Sequence, residues 1–277
     1  MTTGSLAGTV ALVKHRHALL AAIALASVIA LLLVGRVRAA EPGPGWTPAR
    51  SDTWDYQLAS GTIDVVASAH VYDVDAFAVK ASTVASMHAD GKRVICYVDA
   101  GSYESYRPDA GRFPANVLGK VVAGWPDERW LDIRRLDVLK PILTERIDRC
   151  LKKGFDGVEF DWIDGYAQHT GFAITRDDQL RFDRWLAKAA HARGLAVGLK
   201  NGLGLIPALL RRYDFAVNEQ CFQYAECFHY QPFLDAGKAV FNVEYHLRPG
   251  SFCGRAHQLG ISAISKHLSL DAWRVGC

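Results

Sequence analysis

The chain has 277 residues, half of them apolar and 22% charged, with a formal net charge of +3. That length and apolar content support a full hydrophobic core and exclude a disordered or fibrous chain. The small positive excess forms no Lys/Arg stripe interleaved with aromatics, so nucleic acid is not an expected partner.

At the N-terminus Lys14, His15, Arg16 and His17 precede an uncharged, mostly apolar run from Ala18 to Val34, and Val37, Arg38 and Ala39 offer a small-x-small-like cleavage site before Ala40. This is the pattern of an export signal, with an uncleaved membrane anchor as the alternative because the run approaches bilayer-spanning length. Either form places the following domain outside the cytoplasm, secreted or held at a membrane. Residues 1–39 are read as this signal or anchor, 40–50 as a linker rich in proline and glycine, and 51–277 as the folded domain.

From Trp54 onward strand-like and helix-like segments alternate. The strand candidates are 54–58, 71–77, 94–99, 157–162, 196–201, 215–219, 239–245 and 261–266. Between them, 81–89 ends at Asp90 and Gly91, and 140–152 opens with Pro141 and stops at Gly154. A helix from Thr175 to Arg193 has Thr175 as N-cap with Asp178 at the third helical position; 205–212 and 229–236 are shorter. Eight strands in such alternation predict a TIM-type (β/α)8 barrel, and no glycine-rich nucleotide loop follows the first strand.

Six cysteines in an exported chain favour disulfides. Two of Cys221, Cys227 and Cys253 are expected to pair, while Cys96 and Cys150 also read as small buried residues. No cysteine or histidine spacing of a metal site accompanies them, and neither a metal nor a cofactor is expected.

The most informative stretch is 153–166, KGFDGVEFDWIDGY. Alternation along a strand puts Gly157, Glu159 and Asp161 on one face and Val158, Phe160 and Trp162 on the other. Two carboxylates on an inward face are costly unless paired, which points to a site. Catalytic groups of a barrel sit at the carboxyl ends of strands, where Asp99, Asp161, Glu219 and Glu244 fall. The same alternation turns Asp73, Asp75, Tyr97, Asn242 and Glu244 inward, with Phe241 and Val243 facing helices. Lys200 beside Asn201 would contact substrate or neutralise an acid. Trp54, Tyr97, Tyr103, Tyr166 and Tyr224 are candidates for stacking on sugar rings at the mouth, with Asp164 beside them; Trp130, Phe182 and Trp185 read as core.

The segments WDYQL at 54–58, VDAF at 74–77, GKRVICY at 91–97, AGSYE at 100–104, RWLDIR at 129–134, GVEFD at 157–161, GLKN at 198–201, VNEQC at 217–221 and FNVEY at 241–245 carry a resemblance. Together they resemble the glycoside hydrolase family 114 domain, whose characterised activity is endo-α-1,4-polygalactosaminidase. The resemblance implies a barrel fold and places the catalytic carboxylates on Asp161 and Glu219. It implies a cationic, galactosamine-containing polysaccharide as substrate, cut internally. Where the family motif often carries a small amide after the aspartate, this chain has Trp162.

Hydrolysis then needs one carboxyl group to protonate the leaving oxygen and another to attack the sugar or activate water. Glu219 is expected to be the acid and Asp161 the nucleophile or base. The long loops 101–127 and 164–176 would wall an open groove, and such a barrel is expected to work as a monomer. Asp73, Asp75, Asp99, Glu159, Asp164 and Glu244 would give the mouth its acidic character. Two other readings use the same residues: a non-catalytic polysaccharide-binding barrel, and a metal-dependent carbohydrate hydrolase or deacetylase built on Asp161, Glu219, Glu244 and His246.

Overall fold

The computed structural model describes residues 44–277 apart from 60, 61 and 67, so the signal or anchor at 1–39 lies outside the described residues. In chain order the strands are β1 (Trp54–Gln57), β2 (Val71–Asp75), β3 (Arg93–Asp99), β4 (Ser102–Glu104), β5 (Leu118–Val122), β6 (Trp125–Leu131), β7 (Gly157–Asp161), β8 (Ala196–Lys200), β9 (Phe215–Glu219), β10 (Val240–Glu244), β11 (Ser262–Lys266) and β12 (Arg274–Gly276). The helices are α1 (Ala81–Ala89), α2 (Leu136–Lys153), α3 (Arg176–His191), α4 (Ile206–Leu209), α5 (Gln231–Asp235) and α6 (Pro249–Leu259).

Each of the eight expected strands forms. β1, β2, β3, β7, β8, β9, β10 and β11 pair side by side and parallel, and β12 runs antiparallel on the far side of β11. The two ends of this row meet. The Trp54 indole donates to the Ser262 carbonyl at 3.0 Å, and Arg274 of β12 donates to the Trp54 carbonyl at 2.7 Å. The result is the TIM-type barrel, with Trp54, Tyr56, Ile95, Phe215, Phe241 and Val243 among the apolar side chains packed in its interior. A second, larger core lies between the barrel and its helices.

Local sequence explains most helix limits. Thr175 caps α3 through a reciprocal capping box with Asp178, as expected. Helix α2 starts at Leu136 and runs on through Pro141, which costs one backbone bond to the preceding turn; buried Leu139 holds that turn in place. Gly154, in the left-handed conformation, ends it.

Three features differ from the sequence reading. The stretch expected as a long loop after β3 contains a three-stranded antiparallel sheet in the order β4-β6-β5. Cys96 and Cys150 are not merely buried: they form a disulfide that ties β3 to α2, alongside Cys221–Cys227 and Cys253–Cys277. The outward face of β3 meets α2 at these two positions. Finally, the described end of the linker is docked, since Gly45 donates to the Gly194 carbonyl, Pro48 is buried and Arg93 lies over the Trp46 ring. Among the described residues no helix is long and apolar enough to cross a membrane.

Candidate active site

Three neighbouring strands deliver the central side chains. β7, β8 and β9 end at Asp161, Lys200 and Glu219, and the next residue in each case, Trp162, Asn201 or Gln220, has a positive φ of 56°, 47° or 66°. Such a turn by a residue with a side chain is costly, and it bends each chain away at once from the strand direction.

Lys200 occupies the centre. Its Nζ lies 3.3 Å from Glu159 Oε1, 3.3 Å from Asp161 Oδ1 and 3.5 Å from Glu219 Oε2, and it donates to the Tyr56 hydroxyl at 3.0 Å. The lysine side chain is only 2% exposed, against 16% for Asp161 and 28% for Glu219. Burial works against its charge, but the carboxylates of Asp161, Glu159 and Glu219 raise its pKa well above the ordinary lysine value.

Both outer carboxylates are oriented by further donors. Asp161 takes the Tyr97 hydroxyl at 2.9 Å on Oδ2 and the Trp162 backbone N–H at 2.8 Å on Oδ1. Glu219 accepts from the Tyr245 hydroxyl and from Asn201 Nδ2 at 3.2 Å, while Asn201 Oδ1 in turn accepts the Glu219 N–H at 3.0 Å. Every donor leaves part of each carboxylate open to the mouth.

Beneath them lies a fully buried layer. Burial pushes Glu159 up to about 7. Burial and the facing Glu159 raise Asp73 well above the usual carboxylate range. Among the described residues no hydrogen-bond donor reaches either Asp73 oxygen. Glu159 also accepts from the Tyr56 hydroxyl at 3.1 Å.

A third group of acids sits where the β4–β6 sheet joins the barrel. Asp99, Glu104 and Glu128 bring ligand atoms within 4.8 Å of one another and are the residues that could hold a cation. Protein groups already engage them. Ser102 donates its N–H and hydroxyl to Asp99, and its hydroxyl oxygen also lies 3.1 Å from Glu128 Oε2, while Arg107 and Arg146 lie 2.6 and 3.4 Å from Glu104. Burial first, and then the neighbouring Glu104, push Glu128 up to about 7 and raise Asp99 well above its ordinary range.

Two open depressions meet at this centre and share Asp161, Trp162, Lys200, Asn201, Glu219 and Gln220. One extends over Asp75, Tyr97, Glu104, Tyr106, Trp125 and Glu128. The other extends over Asp164, Tyr166, Gln168, Gly204, Tyr224 and Glu226. Acidic side chains thus line both arms, with Arg107 in the first, 2.6 Å from Asp75.

Of the expected site residues, Asp161, Glu219, Lys200, Asn201, Asp75, Tyr97, Asp164, Tyr166 and Tyr224 line this groove. Glu159 lies just below it. Four do not line it. Trp54 is packed inside the barrel, stacked on Phe241. Tyr103 turns to the outer core, edge-on to Phe113. Asp99 holds the corner at Ser102 instead of facing the groove. Glu244 and Asn242 occupy the opposite face from the expected one: Phe241 and Val243 fill the barrel interior, and Glu244 accepts the Phe222 N–H in the loop after β9. Polar residues on the outward face of β10 serve that loop, which reversed the alternation argument. The deacetylase quartet of Asp161, Glu219, Glu244 and His246 is therefore not assembled.

Glu104, Arg107, Trp125 and Glu128 were not singled out from sequence. The signal was a short one, Ala123 and Gly124 between two strand-like segments, which marks a hairpin.

Comparison with known proteins places this geometry. The model of glycoside-hydrolase family GH114 matches residues 35–277. The crystal structure of Aspergillus fumigatus Ega3 in complex with galactosamine is 37% identical, with a TM-score of 0.81, covering 84% of this chain and 98% of that one. The glycoside hydrolase domain of PelA from Pseudomonas aeruginosa shares the fold at 16% identity and a TM-score of 0.67, covering 80% and 97% of the two chains. An uncharacterized protein of Deinococcus radiodurans is 29% identical over 211 residues, 66% of this chain and 67% of its own length.

Proposed function

Since the chain belongs to glycoside hydrolase family GH114, we propose that it is an enzyme cleaving internal α-1,4 bonds of a galactosamine-containing polysaccharide, with Asp161 and Glu219 as the catalytic carboxylates. The observation that carries this reading is the placement of those two groups around one buried ammonium, at the waist between two open arms of a groove. A site open on both sides admits a continuing chain in each direction, which suits internal cleavage. The galactosamine bound by the similar Ega3 structure supports the sugar class. Acidic residues along both arms support a polymer carrying ammonium groups.

Asp161 acts as nucleophile or base. Lys200, the Tyr97 hydroxyl and the Trp162 N–H contact its two oxygens and fix its orientation. Glu219, the more exposed of the two, protonates the leaving oxygen, and Tyr245 and Asn201 aim it. Because both carboxylates touch Lys200, their facing oxygens are separated by at most about 6.8 Å, the sum of the two contacts. That bound suits the roughly 5–5.5 Å pair of a retaining enzyme better than the roughly 6.5–9.5 Å pair of an inverting one.

The three disulfides suit an oxidising compartment. Together with residues 1–39 read as signal or anchor, they support export of the enzyme. The test is product analysis by mass spectrometry on partly and fully deacetylated α-1,4-galactosamine oligomers. Internal shortening that disappears in Asp161→Asn and in Glu219→Gln is the expected result. Binding without shortening would make the protein a polysaccharide-binding barrel.

A further inference from the structure

The residue after the catalytic aspartate is held in an unusual way. Trp162 has a φ of 56°, a left-handed conformation that is costly for a bulky L-residue. The structure over-determines it. The indole Nε1 donates to Glu128 Oε2 at 3.0 Å, and the ring stands edge-on to Trp130 at 5.1 Å between centroids. On its main-chain side the Trp162 carbonyl sits so close to Gly101 that a Cβ there would approach it to 1.8 Å.

The peptide linking Asp161 to Trp162 is the part of this arrangement that reaches the chemistry. Its carbonyl accepts the N–H groups of Ala100 at 3.2 Å and Gly101 at 3.1 Å. Its own N–H donates to Asp161 Oδ1. The plane of that peptide is thus gripped from the corner after β3 on one side and through the Trp162 ring on the other. The Glu128 oxygen that takes the indole also lies 3.1 Å from the Ser102 hydroxyl oxygen, so one carboxylate touches both grips.

We propose that Glu128, on the β4–β6 sheet, is a positioning residue for the catalytic Asp161, acting through the Trp162 indole and the 161–162 peptide. The role rests on the reading of Asp161 above. Other charged groups face Glu128: Asp99 from β3, Glu104 from β4 and Asp161 from β7, with Arg107 and Arg146 paired to Glu104. The contact is therefore expected to depend on an oxygen acceptor at this position more than on its negative charge.

The test is a double-mutant cycle on hydrolysis of α-1,4-galactosamine oligomers, with Glu128→Ala, Trp162→Phe and their combination, and with Asp161→Asn and Glu128→Gln alongside. Glu128→Ala and Trp162→Phe are each expected to lower kcat about tenfold with KM within about twofold, and the combination to be no worse than either alone. Glu128→Gln, which keeps an acceptor oxygen, restores most of kcat. Additive losses, or a loss confined to KM, would show instead that Glu128 binds sugar directly and would overturn the proposal while leaving the hydrolase reading intact. Should Glu128→Ala not fold, an unchanged kcat in Trp162→Phe overturns it equally. Full activity in Asp161→Asn would remove the proposal and its premise together.

Discussion

The Lys200 ammonium lies 3.3 Å from Asp161 Oδ1, with almost no access to water. It neutralises a cluster of carboxylates that would otherwise repel one another inside a barrel. Lys200→Met is therefore expected to leave buried charge uncompensated and to destabilise the protein by about 3–5 kcal/mol near neutral pH. Urea unfolding measures this, and the loss should shrink at pH 5, where the carboxylates take up protons more readily. A variant as stable as wild type at both pH values would show that Lys200 has no such role.

Replacing either proposed catalytic carboxylate, Asp161 or Glu219, should reduce turnover by at least about a hundredfold without altering the fold. The upper bound on the gap between Asp161 and Glu219 adds a stereochemical expectation. NMR of the first-formed product should show the α-anomer, as retention requires. Initial appearance of the β-anomer would assign inversion and make Asp161 a base acting on water.

Stability should fall as pH rises from the ordinary carboxylate range to neutrality. Asp73, Asp99, Glu128 and Glu159 all have raised values in the folded protein, the latter two about 7. Between those values and the usual 3.8–4.5 the folded state keeps protons that the unfolded chain releases. Their contribution is therefore intact at low pH and withdrawn as each folded group ionises. Urea midpoints at pH 5 and pH 8 check the sign, and Glu128→Gln should flatten the dependence. A midpoint that climbed over this interval would contradict the protonation of these acids.

The arms of the groove end in exposed rings, Trp125 and Tyr106 on one side and Tyr224 on the other. Trp125→Ala and Tyr224→Ala should lower kcat/KM on long chains by about tenfold or less and shift the lengths of the products. The shortest oligomers, which span one arm only, should be affected by one substitution and not by both. Equal effects at every chain length would mean that the rings do not bind sugar.

The Cys96–Cys150 bond closes a loop with a sequence separation of 54 residues. Its removal in the double serine variant should cost about 2–4 kcal/mol of stability, read from urea unfolding. Activity of the folded variant should persist, because neither residue approaches the groove.

What could be read beforehand follows the physics of the signals. Strands such as β7 and β9 were legible because short apolar segments recur between punctuated helices, and Asp161, Lys200 and Glu219 were legible because each ends such a strand. The error at Glu244 has the same origin. Alternation says which residues share a face but not which face is inside, and a polar loop packed outside β10 looks in sequence like a polar mouth. Glu128 was harder still, since its importance arises from a hairpin folding back onto Trp162, 34 positions away in the chain. The disulfide at Cys96 depends on a similar long-range meeting.

The three left-handed residues that follow Asp161, Lys200 and Glu219 mark a conflict between durability and turnover. Glycine would relax each of these turns, so a search for heat-resistant variants would be drawn to them. It would also loosen the joints that aim Asp161, Lys200 and Glu219. Engineering for longevity is therefore better directed at the helical shell, leaving the tense rim of the barrel as it is.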